Sequence, residues 1–151
     1  MSNQAVLKWT EIKHVIVVCG TAGKVSNEKW EAYLKDLKTK NIKKCLSLSA
    51  GTSEVTSVQR AAAADILKKL DIKMAVVTDE SLIRGMVTAA SWLGADIKAF
   101  SWSDLAEALK YLEVPAHLQA RVMITANSLK TACNDEYAKQ RLPKKSDKME
   151  R

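Results

Sequence analysis

The 151-residue chain predicts an α/β fold. A single sheet of four to five mostly parallel strands carries helices packed on it, with an extra helix at the carboxyl end. Three observations carry this expectation. Short apolar runs, Val15-Ile16-Val17-Val18 and Met74-Ala75-Val76-Val77-Thr78, have the length of strands buried on both faces. Between them lie segments whose apolar residues recur at three- and four-residue spacing, the period of a helix. The two signals alternate from about residue 12 to residue 112, the pattern of a sheet covered by helices.

Each element has a local justification. Residues 5–9 suit a short edge strand, with a turn near Thr10 and Glu11. The strand over residues 12–19 ends where Gly20 and Gly23 interrupt it. Ser26 caps a helix over residues 27–40, with Val25 and Trp30 at staple positions. Trp30, Tyr33, Leu34 and Leu37 form its inner face. Residues 43–50 alternate as a strand, and a polar loop over residues 51–57 leads to Thr56 or Ser57 as the next cap. The helix that follows places Val58, Ala62, Ile66 and Leu70 on one face. After the strand at residues 74–78 comes a helix over residues 81–93, and residues 96–100 return to the sheet. Ser101 or Ser103 caps a further helix with Leu105, Leu109 and Leu112 inward. Pro115 suits the first turn of a last helix, whose stripe is Leu118, Val122, Ala126, Leu129 and Cys133. The chain thus divides into an α/β domain at 1–113, a helical extension at 114–138 and a basic disordered tail at 139–151.

Composition narrows the function classes. A chain of this length buries a core without metal or disulfide. The net charge of +7 is concentrated in residues 35–44 and 139–151. No nucleic-acid-binding motif accompanies it, which argues against nucleic acid as the partner. No apolar run approaches the ~20 residues of a transmembrane segment. The first residues lack the basic and apolar regions of a secretory signal, so a cytoplasmic protein is expected. Cys19, Cys45 and Cys133 include no Cys-x-x-Cys pair, and His14 and His117 are far apart. Neither a metal site nor a cofactor is expected.

The helix at residues 81–93 is the most unusual segment, because Arg84 is its single charge. At ~100° per residue, Ser81, Arg84, Thr88 and Ser91 fall in a stripe about 80° wide. Leu82, Met86, Ala89 and Leu93 lie opposite and suit a core. Ile83, Val87 and Trp92 then stand on the flanks, more apolar surface than one sheet hides. The expected occupant is a protein partner, with a second copy of the chain or a small lipid-like ligand as further candidates. Ile83, Arg84, Val87 and Trp92 are the expected contacts.

Ligands of open α/β sheets collect at the carboxyl ends of the strands. Gly20-Thr21-Ala22-Gly23-Lys24 would offer backbone amides to a phosphate. Cys19 at its base is the alternative functional residue, a nucleophile or phosphocysteine carrier. The segment lacks the Walker spacing, and Val25 stands where a Cys-x5-Arg phosphatase loop needs arginine. A buried thiol beside a tight turn is the competing reading. Asp79 and Glu80 suit the dipole of the following helix. No nucleophile or metal ligand accompanies them, so no catalytic residue is expected there.

The strand–helix order, with Ala75-Val76-Val77-Thr78-Asp79, Leu82-Ile83-Arg84-Gly85, Ser91-Trp92-Leu93 and Lys98-Ala99-Phe100, resembles the STAS family. That family includes anti-sigma-factor antagonists and relatives with a SEC14-like fold. The resemblance covers about residues 12–112. It implies a non-catalytic regulatory or scaffold domain that binds protein. It also implies phosphorylation of a serine or threonine in the loop after the third main strand, here residues 51–57. In the family an aspartate precedes that residue, whereas this chain reads Gly51-Thr52-Ser53-Glu54. Ser53 and Ser57 are the positions the resemblance marks.

Overall fold

The computed structural model describes residues 4–142. It contains the expected sheet, with five strands. β1 (Leu7–Ile12) and β2 (Val15–Lys24) form an antiparallel hairpin. Its turn is at Lys13 and His14, not at Thr10 and Glu11, which pair with Val17 and Ile16. Lys13 closes the two-residue turn with a left-handed φ of 57°. Next in order are α1 (Asn27–Thr39), β3 (Lys44–Glu54), α2 (Ser57–Lys69), β4 (Lys73–Val77), α3 (Ser81–Trp92) and β5 (Ile97–Phe100). A 3-10 turn (Trp102–Asp104), α4 (Leu105–Tyr111) and α5 (Ala116–Arg141) complete the described chain. The spatial order is β1-β2-β3-β4-β5, with β2 through β5 parallel.

Side chains alternate across each strand, so the sheet has two apolar faces. Val17, Cys19, Leu46 and Val77 pack with Leu109 of α4 and Val122 of α5. Ile16, Val18 and Cys45 meet Tyr33 and Leu37 of α1 and Ile66 of α2. Strands that advance in one direction place right-handed crossover helices on one face. α3 therefore shares the side of α1 and α2. There it packs on β5, a four-residue edge strand.

α5 has the inner stripe the sequence predicts: Leu118, Val122, Ala126 and Cys133 are buried and Leu129 is partly buried. It lies along β2 and touches β1 and β3, so it belongs to the same core as the sheet. The helix continues through Arg141. The first residues of the expected tail, 139–141, are thus helical, and residues 143–151 lie outside the described part.

α2 is turned by about one residue from its expected face. Gln59 and Ile66 are buried, whereas Val58, Ala62 and Leu70 of the expected inner face are exposed. The reason is Gln59. Its side-chain oxygen accepts from Thr56 N at 2.9 Å, and its amide nitrogen donates to Val25 O at 3.0 Å and Asn27 Oδ1 at 2.9 Å. A buried amide with all these partners fixes the rotation of a helix whose Ala61-Ala62-Ala63-Ala64 run prefers none.

Candidate interaction surface

The first carboxyl-end segment is not a loop. β2 runs on through Gly20 to Lys24, because its backbone groups find partners on both sides. Thr21 N donates to Val6 O at 3.0 Å, Ala5 N donates to Lys24 O at 2.9 Å, and Val25 N donates to Glu54 O at 3.2 Å. The Thr21 hydroxyl is buried and accepts from Val6 N at 2.8 Å. The expected phosphate cradle is thus part of a paired strand, with the Thr21 amide engaged. Cys19 lies beneath α5, fully buried, where Cys133 Sγ donates to its carbonyl at 3.4 Å. Hydrogen bonding with the Cys133 thiol and burial both push the Cys19 thiol far above the ordinary range. Burial raises Cys45 to about 12, although its contact with the Tyr33 hydroxyl works in the opposite direction. A thiol held in its neutral form is a poor nucleophile. Hydrogen bonding with Cys19 lowers the Cys133 thiol, but all three thiols are buried. A disulfide-exchange thiol reagent is therefore expected to count none within minutes in the native chain and three in urea. Prompt native labelling of Cys19 would revive the nucleophile reading.

The second segment is also mostly strand, since β3 extends to Glu54. Ser53 is half-buried and donates its hydroxyl proton to Thr21 O at 2.6 Å. Thr56 caps α2 in a capping box with Gln59. Ser57, the first residue of α2, is exposed. Of the two serines marked by the sequence, only Ser57 presents a free-standing surface position. Thr52 supplies a link that sequence reasoning missed: its hydroxyl donates to Glu80 Oε1 at 2.6 Å. Glu80 is the N-cap residue of α3, so the end of β3 is tied to the start of that helix.

The third segment is structural. The Thr78 hydroxyl is buried and accepts from Glu80 N at 3.0 Å. Asp79 Oδ1 accepts from Trp102 N at 3.2 Å.

α3 departs most from its expected orientation. Val87 is its one buried residue, at 7% exposure. Ile83, Arg84, Ala90 and Ser91 are half-buried beside it. Leu82, Met86, Ala89 and Leu93, expected in the core, face solvent. Trp92 is 83% exposed, Leu93 81%, Leu82 65% and Met86 38%. Measured from Val87 in ~100° steps, Trp92, Gly85, Ala89, Leu82, Leu93 and Met86 fill an outer arc about 120° wide. That arc contains no charge. The apolar surplus expected from the sequence is thus present on the side opposite the one expected. Two features turn the helix over. The polar side chains satisfy themselves locally, Thr88 Oγ1 donating to Arg84 O at 3.0 Å and Ser91 Oγ to Thr88 O at 2.7 Å. Ser91 can therefore sit half-buried, while Thr88 stays in solvent. The narrow β5 edge then accepts Val87 and its half-buried neighbours, and leaves the bulkier residues outside.

Parallel β-α-β units extended by one antiparallel edge strand, with an exposed apolar helix at the far edge, define an STAS-like α/β domain. The chain belongs to the SpoIIAA-like family, whose family model matches residues 16–113, more than half of its length. That span agrees with the extent of the resemblance read from the sequence. No curated protein matches the chain. Among the described residues, no helix is long and apolar enough to cross a membrane.

Proposed function

We propose that the chain is a cytoplasmic, non-catalytic regulatory or scaffold protein that works by binding protein through the outer arc of α3. The observation that carries this is an uncharged helical arc with Trp92, Leu93 and Leu82 in solvent. Large apolar side chains gathered on one exposed face of a well-packed domain mark an interaction site. Family membership supports the reading, because the STAS-type relatives the sequence resembles work by regulated protein binding. Trp92 keeps the contact role the sequence gives it, joined by Leu82, Met86 and Leu93. Ile83, Arg84 and Val87 support the helix from its inner side.

Ser57 is the hydroxyl best suited to modification. It is exposed, and the first turn of α2 carries no acidic residue. A phosphate there would meet the positive end of the helix dipole. Two residues of spacer, Val55 and Thr56, separate it from β3, whose Thr52–Glu80 bond leads to α3.

The test uses Leu93→Glu, a change at an exposed position that shifts stability by no more than about 0.5 kcal/mol. The variant, crosslinked in cells of the native host, is expected to lose the proteins the parent chain captures. An unchanged captured set, with the fold intact by circular dichroism, removes α3 as the binding face. The intact mass of the recovered parent chain, compared with Ser57→Ala, reads the phosphate at the same time.

A further inference from the structure

We infer that the occupant of the α3 arc is a second copy of the chain, in a two-fold dimer whose α3 helices lie antiparallel. This rests on the reading of α3 as a binding face and names what covers it. Charge is the first argument. The chain carries +7 overall, yet the arc carries none. Two copies meet there without burying like charges, and a partner selected by charge would find nothing to read.

Shape is the second argument. Leu82 stands at one end of the arc and Trp92 with Leu93 at the other, with Gly85 and Ala89 between them. A Cβ built on Gly85 would meet nothing within 4 Å, so the waist of the arc is an open notch. A two-fold axis passing between Met86 and Ala89 sets Leu82 of one copy against Leu93 of the other. Met86 of each copy then faces the small side chain of Ala89 of the other. A surface that matches itself under such rotation is what an isologous interface requires.

Direction follows from the helix ends. Parallel packing would bring the Asp79 and Glu80 carboxylates of both copies together. Antiparallel packing separates them by the length of a 12-residue helix, ~18 Å at 1.5 Å per residue. Area is the last argument. The exposed parts of Leu82, Met86, Trp92 and Leu93 amount to ~500 Å², within the range of the largest patch on a typical monomer. Two such patches together remove about 1,000 Å² from water, the threshold for a specific interface. Interfaces at that lower limit are weak and transient ones, so association on the order of micromolar is expected.

Sedimentation velocity of the full chain, over concentrations of about 1 to 100 µM, tests this. The parent is expected to pass from monomer to dimer across that range. Leu82→Lys and Leu93→Glu are each expected to weaken association about a hundredfold, since each places an apolar loss and a charge at both symmetry-related contacts. Mixing the two variants is expected to restore a dimer, because the antiparallel register sets position 82 against position 93. A parent chain that stays monomeric throughout overturns the inference. The capture experiment with Leu93→Glu then decides separately whether α3 binds a different protein. A parent dimer untouched by either variant overturns the inference, because the copies then meet through another surface. Dimers lost in the variants but not restored by mixing overturn the antiparallel register.

Discussion

A chain ended after Glu113 is expected not to fold, although the family match also stops there. The inner stripe of α5 covers the sheet face formed by Val17, Cys19 and Leu48. Val122 and Ala126 are fully buried against that face. Removing the helix deletes the stripe that covers this face and bares the residues of β1, β2 and β3 that it touches. Each large side chain so exposed forfeits about 1.5–3 kcal/mol. Val17, Cys19 and Leu48 bared together weigh against a net stability of only about 5–15 kcal/mol. Even the pairing of Cys133 with the Cys19 carbonyl would go. The truncated chain should therefore show no cooperative urea transition, and should bind a hydrophobic dye as a loosely packed state does. A sharp transition near that of the parent would mean that α4 alone seals this face. The 26-residue helix would then be a separable extension.

What the sequence made legible was whatever local spacing controls. The alternation of strands and helices, the Ser26 cap and the inner stripe of α5 all rest on neighbours within one or two turns. The interior placement of Cys19 and Cys45 follows from their apolar strands, and that of Cys133 from the stripe of α5. Features that depend on distant partners were hidden. Glycine at positions 20, 23 and 51 reads as a break, yet β2 and β3 continue through these positions because the strands pair with each other. Hydroxyls in residues 51–57 read as a polar loop, but Ser53 bonds to Thr21 across 32 positions and Thr52 to Glu80 across 28. The capping box of Thr56 and Gln59 was visible in the spacing, and it would have given the rotation of α2. In α3 the failure has a different origin. A helix that is apolar nearly all round has no unique inner face until the sheet beneath it is known, and its few hydroxyls turn back on their own carbonyls. The sequence therefore located the surplus and mistook its direction.

Substituting Gly51 with alanine is expected to cost about 3 kcal/mol, lowering the Tm by about 10 °C. Gly51 holds φ at +133°, which side chains with a Cβ rarely adopt. Its position also leaves no room: a Cβ there would lie 2.8 Å from the Ala22 backbone nitrogen and 3.2 Å from the Ala22 Cβ. Both strain and contact act on backbone, so no side chain can move to relieve them. The chain must instead part β3 from β2 near the irregular register between Thr21 and Gly23. The Ser53–Thr21 and Thr52–Glu80 bonds, both 2.6 Å, are the next to fail. The second of these holds the N-cap of α3, so amide hydrogen exchange should accelerate at the first turn of α3 as well as at the strand ends. Gly85→Ala supplies the contrast. It lies inside α3 with open space around its missing Cβ, and alanine there should stabilise the helix by up to about 1 kcal/mol. A Gly51→Ala chain that melts with the parent would show that the strand ends can part freely. In that event a change at residues 51–57 could not reach α3 through Glu80, and modification of Ser57 would need another route to the binding face.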